Sequence, residues 1–245
     1  MLKLVIAGIG MSWILAAEGP VQPVQVTKTE RVDFPSGGTI QLKNSTGTLT
    51  VEGWDQPTVE ITTIKSTKAA YSIQKRDKAA HDLDNVRVTT ERHGDEVDIV
   101  TAYPRHRAIL FPHPFARITD FELEYLIKVP RSARLIAHHD QGDVNVEALT
   151  GDIEATVVKG QITLHLPEDS QYLTDAKVDV GNVNSDFPGQ EQRRSWFIGH
   201  QLVNGESSGT HKLKLHVEYG DIVILKIRVP KSPEPFRPVL NPKGS

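Results

Sequence analysis

The sequence predicts an all-β protein in which short strands stack as a β-solenoid, or β-helix-like, structure with one short helical insertion. The main observation is a repeated unit of a glycine, a polar residue and an aliphatic–polar–aliphatic run, as in Gly142–Val146. Copies begin at nine-residue spacing at Gly142, Gly151 and Gly160. Self-similarity at a fixed period is typical of repeat architectures, whose units bury their apolar faces by stacking. The same unit also begins at Gly47, Gly181 and Gly220.

A second observation is the alternation of β-branched or aliphatic residues with polar ones in short runs. Examples are Thr39–Leu42, Thr48–Val51 and Thr58–Thr62, each bounded by turn-forming residues. Such period-two runs predict strands. Short alternating strands at a spacing of about 8–12 residues also suit a β-sandwich, which is the alternative architecture.

Two nine-residue units would form a coil of roughly twenty residues, with glycine at a corner that requires positive φ. Alternate residues of each strand then point into the core. The predicted inward side chains are Val144, Val146, Ile153, Ile162, Leu164, Val183, Ile222 and Ile224.

Two segments interrupt the strand pattern. Ser66–Asp84 contains the helix formers Lys68–Tyr71 and Lys75–Ala80, so part of it is predicted to be a short surface helix. Tyr103–Arg117 holds three prolines and is predicted to be a long loop or insertion. The strand Phe121–Pro130 follows it.

The first residues resemble a secretory signal peptide, because Lys3 precedes an apolar run, Leu4–Leu15, that ends in small residues. A buried N-terminal strand or an uncleaved anchor is the alternative interpretation. We therefore divide the chain into a leader at 1–17, a linker at 18–25, one domain at 26–230 and a proline-rich disordered tail at 231–245.

Composition excludes several classes of function. The formal net charge is only −3, so no global field recruits nucleic acid. Cysteine is absent, which excludes disulfides, cysteine–zinc sites, thiol catalysis and a lipid-bearing cysteine. No cofactor is predicted.

The order of these motifs resembles the bacterial putative adhesin-like domain of unknown function, a family of exported β-solenoids. The resemblance runs from Gly47–Asp55 through the Gly-Asp-aliphatic repeats to Val203–Gly205 and Gly220–Ile224. It implies an envelope-associated protein without enzymatic activity, and it brings no catalytic residues with it.

One motif matches the Gly-x-Ser-x-Gly nucleophile elbow, with Ser207 at the centre of Gly205–Gly209. That elbow requires a strand–turn–helix. The next segment, His211–Val217, alternates as a strand, so a polar hairpin turn is predicted instead.

Possible metal ligands also favour a structural interpretation. His138, His139 and Asp140 are consecutive, and His165, His211 and His216 could approach them in space. Adjacent strand residues point to opposite faces, so the histidines are interpreted as solvated or turn residues.

The Gly-Asp steps at Asp143, Asp152 and Asp221 lack the glycine pairs of calcium-binding β-rolls. Turn aspartates that bond their own backbone are expected.

The other candidates are surface features. Glu122 and Glu124 share one strand face, whereas glycosidases usually draw their two carboxylates from separate elements. Arg105, His106, Arg107 and Arg117 form a basic cluster that could meet an acidic glycan or lipid head group, but a solvated loop is the expected role. Trp54 is expected to cap a turn, and Trp196 and Phe197 to plug the core.

The sequence therefore assigns no catalytic, cofactor-binding or metal-binding residue. It predicts a non-catalytic, exported, periplasmic or cell-surface module with an unidentified protein or glycan partner and no transmembrane helix in the mature chain. The main alternative is a carbohydrate-active β-helix enzyme, a polysaccharide lyase or hydrolase. A weaker one is an anti-sigma-like or sensor-associated envelope domain held by a membrane anchor.

Overall fold

Most of the residues that the structure describes lie in strands. A computed structural model describes residues 22–71, 73–103, 121–193, 199–204 and 211–228. The predicted leader and tail lie outside these ranges. The elements are β1 (Gln22–Asp33), β2 (Thr39–Trp54), β3 (Thr58–Tyr71), α1 (Ile73–Asp84), β4 (Arg87–His93), β5 (Glu96–Ala102), β6 (Phe121–Pro130), β7 (Arg134–Glu147), β8 (Ile153–Pro167), β9 (Tyr172–Val180), β10 (Val183–Ser185), β11 (Gln190–Arg193), β12 (His200–Asn204) and β13 (His211–Ile227).

Four long strands, β2, β7, β8 and β13, each bend at a glycine near their middle. These corner glycines are Gly47, Gly142, Gly160 and Gly220, with φ between +96° and +148°. The half of each strand before its glycine belongs to what we call the first face, and the half after it to the second face. The predicted role of glycine at a positive-φ corner is therefore confirmed for these four residues. The repeat glycine Gly151 instead lies between β7 and β8 without positive φ.

Parallel pairing stacks these bent strands into layers. β5 pairs with the first half of β2, and β6 with its second half, so together they form one layer. β9 and β10 form another against β13, with Gly181 at the corner between them. The layers run in the order β5/β6, β2, β7, β8, β13 and β9/β10. This stack confirms the predicted solenoid-like architecture.

Antiparallel strands and the helix complete the two ends of the stack. At one end β4 pairs with β5, while β3 and then β1 extend the sheet beyond β6. At the other end β12 and β11 follow β9. The helix packs Ala79 and Leu83 against Val24 of β1. No helix among the described residues is long and apolar enough to cross a membrane.

The core lies between the two faces and repeats from layer to layer. All eight predicted inward residues are buried, at 0–5% exposure. Burying one such aliphatic side chain contributes roughly 1.5–3 kcal/mol. One row of inward residues crosses the second face in register: Leu49, Val144, Ile162, Ile222 and Val183.

Two local predictions need adjustment. A helix does form inside Ser66–Asp84, but Lys68–Tyr71 belongs to β3, because pairing with β1 extends that strand beyond its local helix propensity. The first strand begins at Gln22, earlier than the expected start at Val26, and Pro23 is tolerated there because β1 is an edge strand.

The predicted insertion at Tyr103–Arg117 lies between β5 and β6. The part beyond Tyr103 falls outside the described residues. β5 and β6 pair with the two halves of β2, so the insertion between them joins the two faces at the position where β2 has its corner glycine.

The corner glycines are packed backbone to backbone. A Cβ built on Gly160 would lie 1.8 Å from the carbonyl oxygen of Gly142, and one on Gly142 would lie 1.9 Å from that of Gly47. Gly220 and Gly181 continue the contact, each with a carbonyl oxygen of the preceding layer at 1.8 Å from the Cβ position. A residue with a side chain is disfavoured at these corners for two reasons: φ is positive, and the carbonyl oxygen of the neighbouring layer occupies the Cβ position.

A substitution at the corner should therefore cost far more than one at an open turn. Gly94 also has positive φ, but nothing lies within 4 Å of its Cβ position. Gly94→Ala should lower the free energy of unfolding by about 1–2 kcal/mol, the usual conformational cost. Gly160→Ala should lower it by about 4 kcal/mol or more, because the backbone of two layers must move apart. Urea unfolding of both variants measures the difference, and equal losses would show that the corner contact is unimportant.

Candidate functional site

An open groove of about 900 Å³ runs along the glycine corners. We call it the corner groove; β2, β3, β6, β7, β8 and β13 all contribute to it, so it crosses most of the stack. Its charged residues are Lys68, Glu122, Glu124, Asp140, Asp143 and Lys159. Four carboxylates against two lysines give the described lining an acidic balance.

The aromatic pair Tyr103 and Phe121 forms one end of the groove. Their rings stack with centroids 6.3 Å apart and an interplanar angle of 18°. The Tyr103 hydroxyl donates to the carbonyl of Asn44 at 3.0 Å and lies 2.8 Å from the hydroxyl of Thr46. These bonds hold the Tyr103 ring in place against β2.

The other end of the groove is formed by Tyr219, which directly precedes Gly220. The residues just before the five corner glycines lie side by side in register, and we call them the corner row: Thr46, Gln141, Lys159, Tyr219 and Val180. Tyr219 is 55% exposed. Its ring and the paired Lys159 give this end of the groove an apolar face beside a positive charge.

Ser45 and His139 form a buried polar pair that bonds to the backbone of the corner. His139 is 2% exposed, and its Nδ1 lies 2.8 Å from the hydroxyl of Ser45. Its Nε2 lies 3.0 Å from the carbonyl oxygen of Gly47, so Nε2–H is the donor and the Ser45 hydroxyl donates to Nδ1. Burial lowers the pKa of His139, although the bond to Gly47 partly opposes that effect. Ser45 is itself 1% exposed, so this serine–histidine pair is structural and does not present a nucleophile.

The structure corrects the expectation that both adjacent histidines are solvated or in turns. His138 is exposed, but His139 is buried in the middle of β7 and fully bonded. The two do point to opposite sides of the strand, as predicted. His211 contacts Asp152 at 3.4 Å, and His216 contacts Asp179 at 2.9 Å. Among the described residues no cluster of three or more potential ligands could hold a metal ion.

The Gly-Asp steps connect neighbouring layers. Asp143 accepts a hydrogen bond from the backbone N–H of Gln161 at 3.2 Å, and Asp152 accepts one from Lys212 at 2.9 Å. Asp221 accepts one from the N–H of Asn182 at 2.8 Å. We expected these carboxylates to bond their own backbone, and that expectation was wrong, because parallel stacking brings the next layer's N–H within reach.

The remaining candidates divide between the groove and undescribed segments. Glu122 and Glu124 lie on one side of β6 and line the groove. Trp54 caps its turn as expected, with Nε1 donating to the carbonyl of Thr58 at 2.8 Å. Outside the described residues lie Ser207 with its motif, the basic cluster of Arg105, His106, Arg107 and Arg117, and the aromatic residues Trp196 and Phe197.

Sequence reasoning missed Tyr219, Lys159 and the Ser45–His139 pair. The corner row could have been found by aligning the residues that precede each repeated glycine. The burial of His139 could have been predicted from its inward position after Leu135 and Ala137. The contact between Ser45 and His139 could not have been predicted in the same way, because the two residues are 94 positions apart in the sequence.

The fold and the groove together define a class of β-solenoid proteins whose parallel layers bend at stacked glycines. A family model described as Toastrack DUF4097 matches residues 32–225. This chain belongs to that family, which is a family of domains of unknown function. No curated protein matches the chain.

Two solved structures are similar to this chain at low sequence identity. One is a putative cell adhesion protein from Clostridium sporogenes, 12% identical, with a TM-score of 0.47; the match covers 84% of this chain and all of that one. The other is a putative adhesin from Bacteroides fragilis, 8% identical, with a TM-score of 0.27 and the same coverage.

The buried histidine predicts a specific dependence of stability on pH. Because the folded state lowers the pKa of His139, the unfolded chain binds a proton more readily below the ordinary value of 6.5. The free energy of unfolding should therefore fall as the pH decreases from about 6.5 through the folded-state pKa. His139→Gln should remove this contribution, whereas His138→Gln on the exposed side should keep it. Urea unfolding between pH 5 and pH 8, at roughly half-unit steps, tests this; identical pH slopes for the wild type and His139→Gln would contradict it.

Proposed function

We propose that this protein is a non-catalytic, exported interaction module of the bacterial cell envelope that holds its partner in the corner groove. The observation that carries the proposal is the groove itself, which crosses the layers on a backbone held by the glycine contacts. A surface built on packed strands presents side chains at fixed spacing, and rigid elements make precise binding sites. The signal-peptide-like leader supports export.

The chemistry of the groove favours a glycan segment as the ligand. Sugar rings have apolar faces that pack on aromatic rings and hydroxyl groups that need hydrogen-bond partners. Tyr219 stands at one end, and Tyr103 and Phe121 at the other. Four inter-strand steps separate β13 from β6, which is about 19 Å. Thr46, Gln141 and the carboxylates lie between, so several sugar units could lie along the groove.

The acidic balance favours some glycans over others. Four carboxylates should repel uronic acids and attract protonated amino sugars. We therefore expect neutral or cationic amino-sugar polymers to bind better than acidic ones.

A polysaccharide lyase or hydrolase is the second candidate function, because carboxylates from β6 and β7, the two strands that flank β2, line the groove together with Lys159. A glycosidase needs one desolvated carboxyl group as its general acid. Glu122 is exposed and Glu124 is only half-buried. This exposure favours binding without cleavage.

Export is tested by fractionating bacteria that express the full chain and measuring the mass and the N-terminal residue of the product. We expect a periplasmic or secreted protein that begins near Glu18, because the small residues Ala16 and Ala17 precede it. An intact Met1 in the cytosol would overturn the localisation.

Binding is tested with immobilised chitosan, chitin and alginate as cationic, neutral and acidic probes. Chitosan and chitin should retain the protein more strongly than alginate. Tyr219→Ala should weaken retention about tenfold, since an aromatic contact contributes about 0.5–1.5 kcal/mol beyond its buried area. Isothermal titration with soluble oligomers gives the affinity.

Val180→Ala is the matched control, because Val180 is an exposed member of the corner row that does not line the groove. It should bind like the wild type. Equal loss in both variants, or preference for alginate, would contradict the glycan proposal. Release of new reducing ends or unsaturated products would instead favour the enzyme.

A further inference from the structure

The first strand leaves one side of its backbone open. β1 pairs with β3 and is the last strand of the second face at this end, with no described strand beyond it. Past the irregularity between Pro23 and Gln25, its pairing with β3 is unbroken from Gln25 to Asp33. The outward-pointing N–H and C=O groups along these nine residues have no partner strand among the described residues, so they form a template for another strand.

The sequence of that edge is complementary to itself about Thr29. When two copies of Gln25–Asp33 run antiparallel with Thr29 opposite Thr29, each charged residue meets the opposite charge or a neutral group. The opposed pairs are then Lys28 with Glu30, Thr27 with Arg31, Val26 with Val32, and Gln25 with Asp33. Opposite charges and β-branched pairs across strands are stabilising.

Charge also selects this register over its neighbours. Even-numbered residues of the regular segment point to the core side, as Val26 and Val32 show, so a continuous sheet must keep even residues opposite even ones. The two adjacent registers that satisfy this rule place Lys28 opposite Lys28 or Glu30 opposite Glu30. Like charges directly opposite each other are destabilising. Of these three registers, the one centred on Thr29 has no such clash.

The charged side chains are available for this pairing. Lys28 and Glu30 form an ion pair within the strand, and their side chains are 62% and 31% exposed. Charges on an edge strand usually discourage association. Here they are opposite in sign and symmetrically placed, so a second copy adds matching partners and a foreign strand does not.

We propose that two copies of this chain associate through β1, antiparallel and symmetric about Thr29, to form one continuous sheet across the second faces. The interface uses the same surface on both copies, so it closes as a dimer and does not propagate into a filament. The interaction is independent of the corner groove, which lies on other strands.

The lack of cysteine in the chain makes a direct test possible. Directly opposed residues in antiparallel strands have Cα atoms about 4.5–5.5 Å apart, within the disulfide range of about 4.4–6.8 Å. Thr29→Cys should therefore give a covalent dimer that a thiol reductant reverses. Thr27→Cys is the matched control, since its two copies would lie about 14 Å apart. Non-reducing electrophoresis after mild oxidation should show at least a tenfold difference in dimer yield; equal yields would indicate random collision and overturn the proposal.

Charge reversal provides a second, non-covalent test. Lys28→Glu and Glu30→Lys each create two like-charge contacts in the dimer, so each should weaken association about tenfold. The double variant restores opposite charges and should regain the wild-type dissociation constant. Sedimentation equilibrium measures it, with circular dichroism to confirm folding. A monomeric wild type, or a double variant weaker than both single ones, would overturn the proposed register.

Discussion

The contact between the backbones of successive layers at the corner glycines is the constraint on which the rest of the structure depends. A carbonyl oxygen of one layer occupies the space that a Cβ of the next would need, at 1.8–1.9 Å for Gly142, Gly160, Gly181 and Gly220. No side chain can be inserted there, so the layers cannot slip past one another without a clash. The register of the whole stack follows, including the buried aliphatic rows and the side-by-side order of the corner row.

Polar groups near the corner are almost entirely used by the fold. His139 and Ser45 bond each other and the Gly47 carbonyl, and the aspartates of the Gly-Asp steps accept N–H groups from the next layer. No buried polar side-chain atom among the described residues lacks a hydrogen-bond partner. The backbone and the buried polar pair at the corner are fixed by these contacts, whereas Gln141, Lys159 and Tyr219 of the corner row are exposed. Tyr219 and Lys159 also line the groove, where they offer an aromatic ring and a positive charge to a ligand.

The sequence was sufficient to predict the architecture because the signal is local and repeated. A glycine followed by alternating residues reports both the corner and the inward side chains, and Val144, Ile162 and Ile222 are buried as expected. Local signals failed where distant pairing decides the structure. Lys68–Tyr71 has helix propensity but is held in β3 by pairing with β1. His139 is bonded to a serine 94 residues away. The groove brings together strands from both halves of the chain, so no single segment of sequence could reveal it.

The position of β13 has a consequence for how the protein is made. This last strand does not extend the end of the stack, but lies between β8 and β9 and pairs with both. Open solenoids add each repeat to the previous one and can fray from their ends. Here the middle of the sheet stays incomplete until the final strand is available. The sheet therefore depends on pairing between strands far apart in sequence, which slows folding. A nascent chain that lacks β13 therefore cannot complete the sheet between β8 and β9.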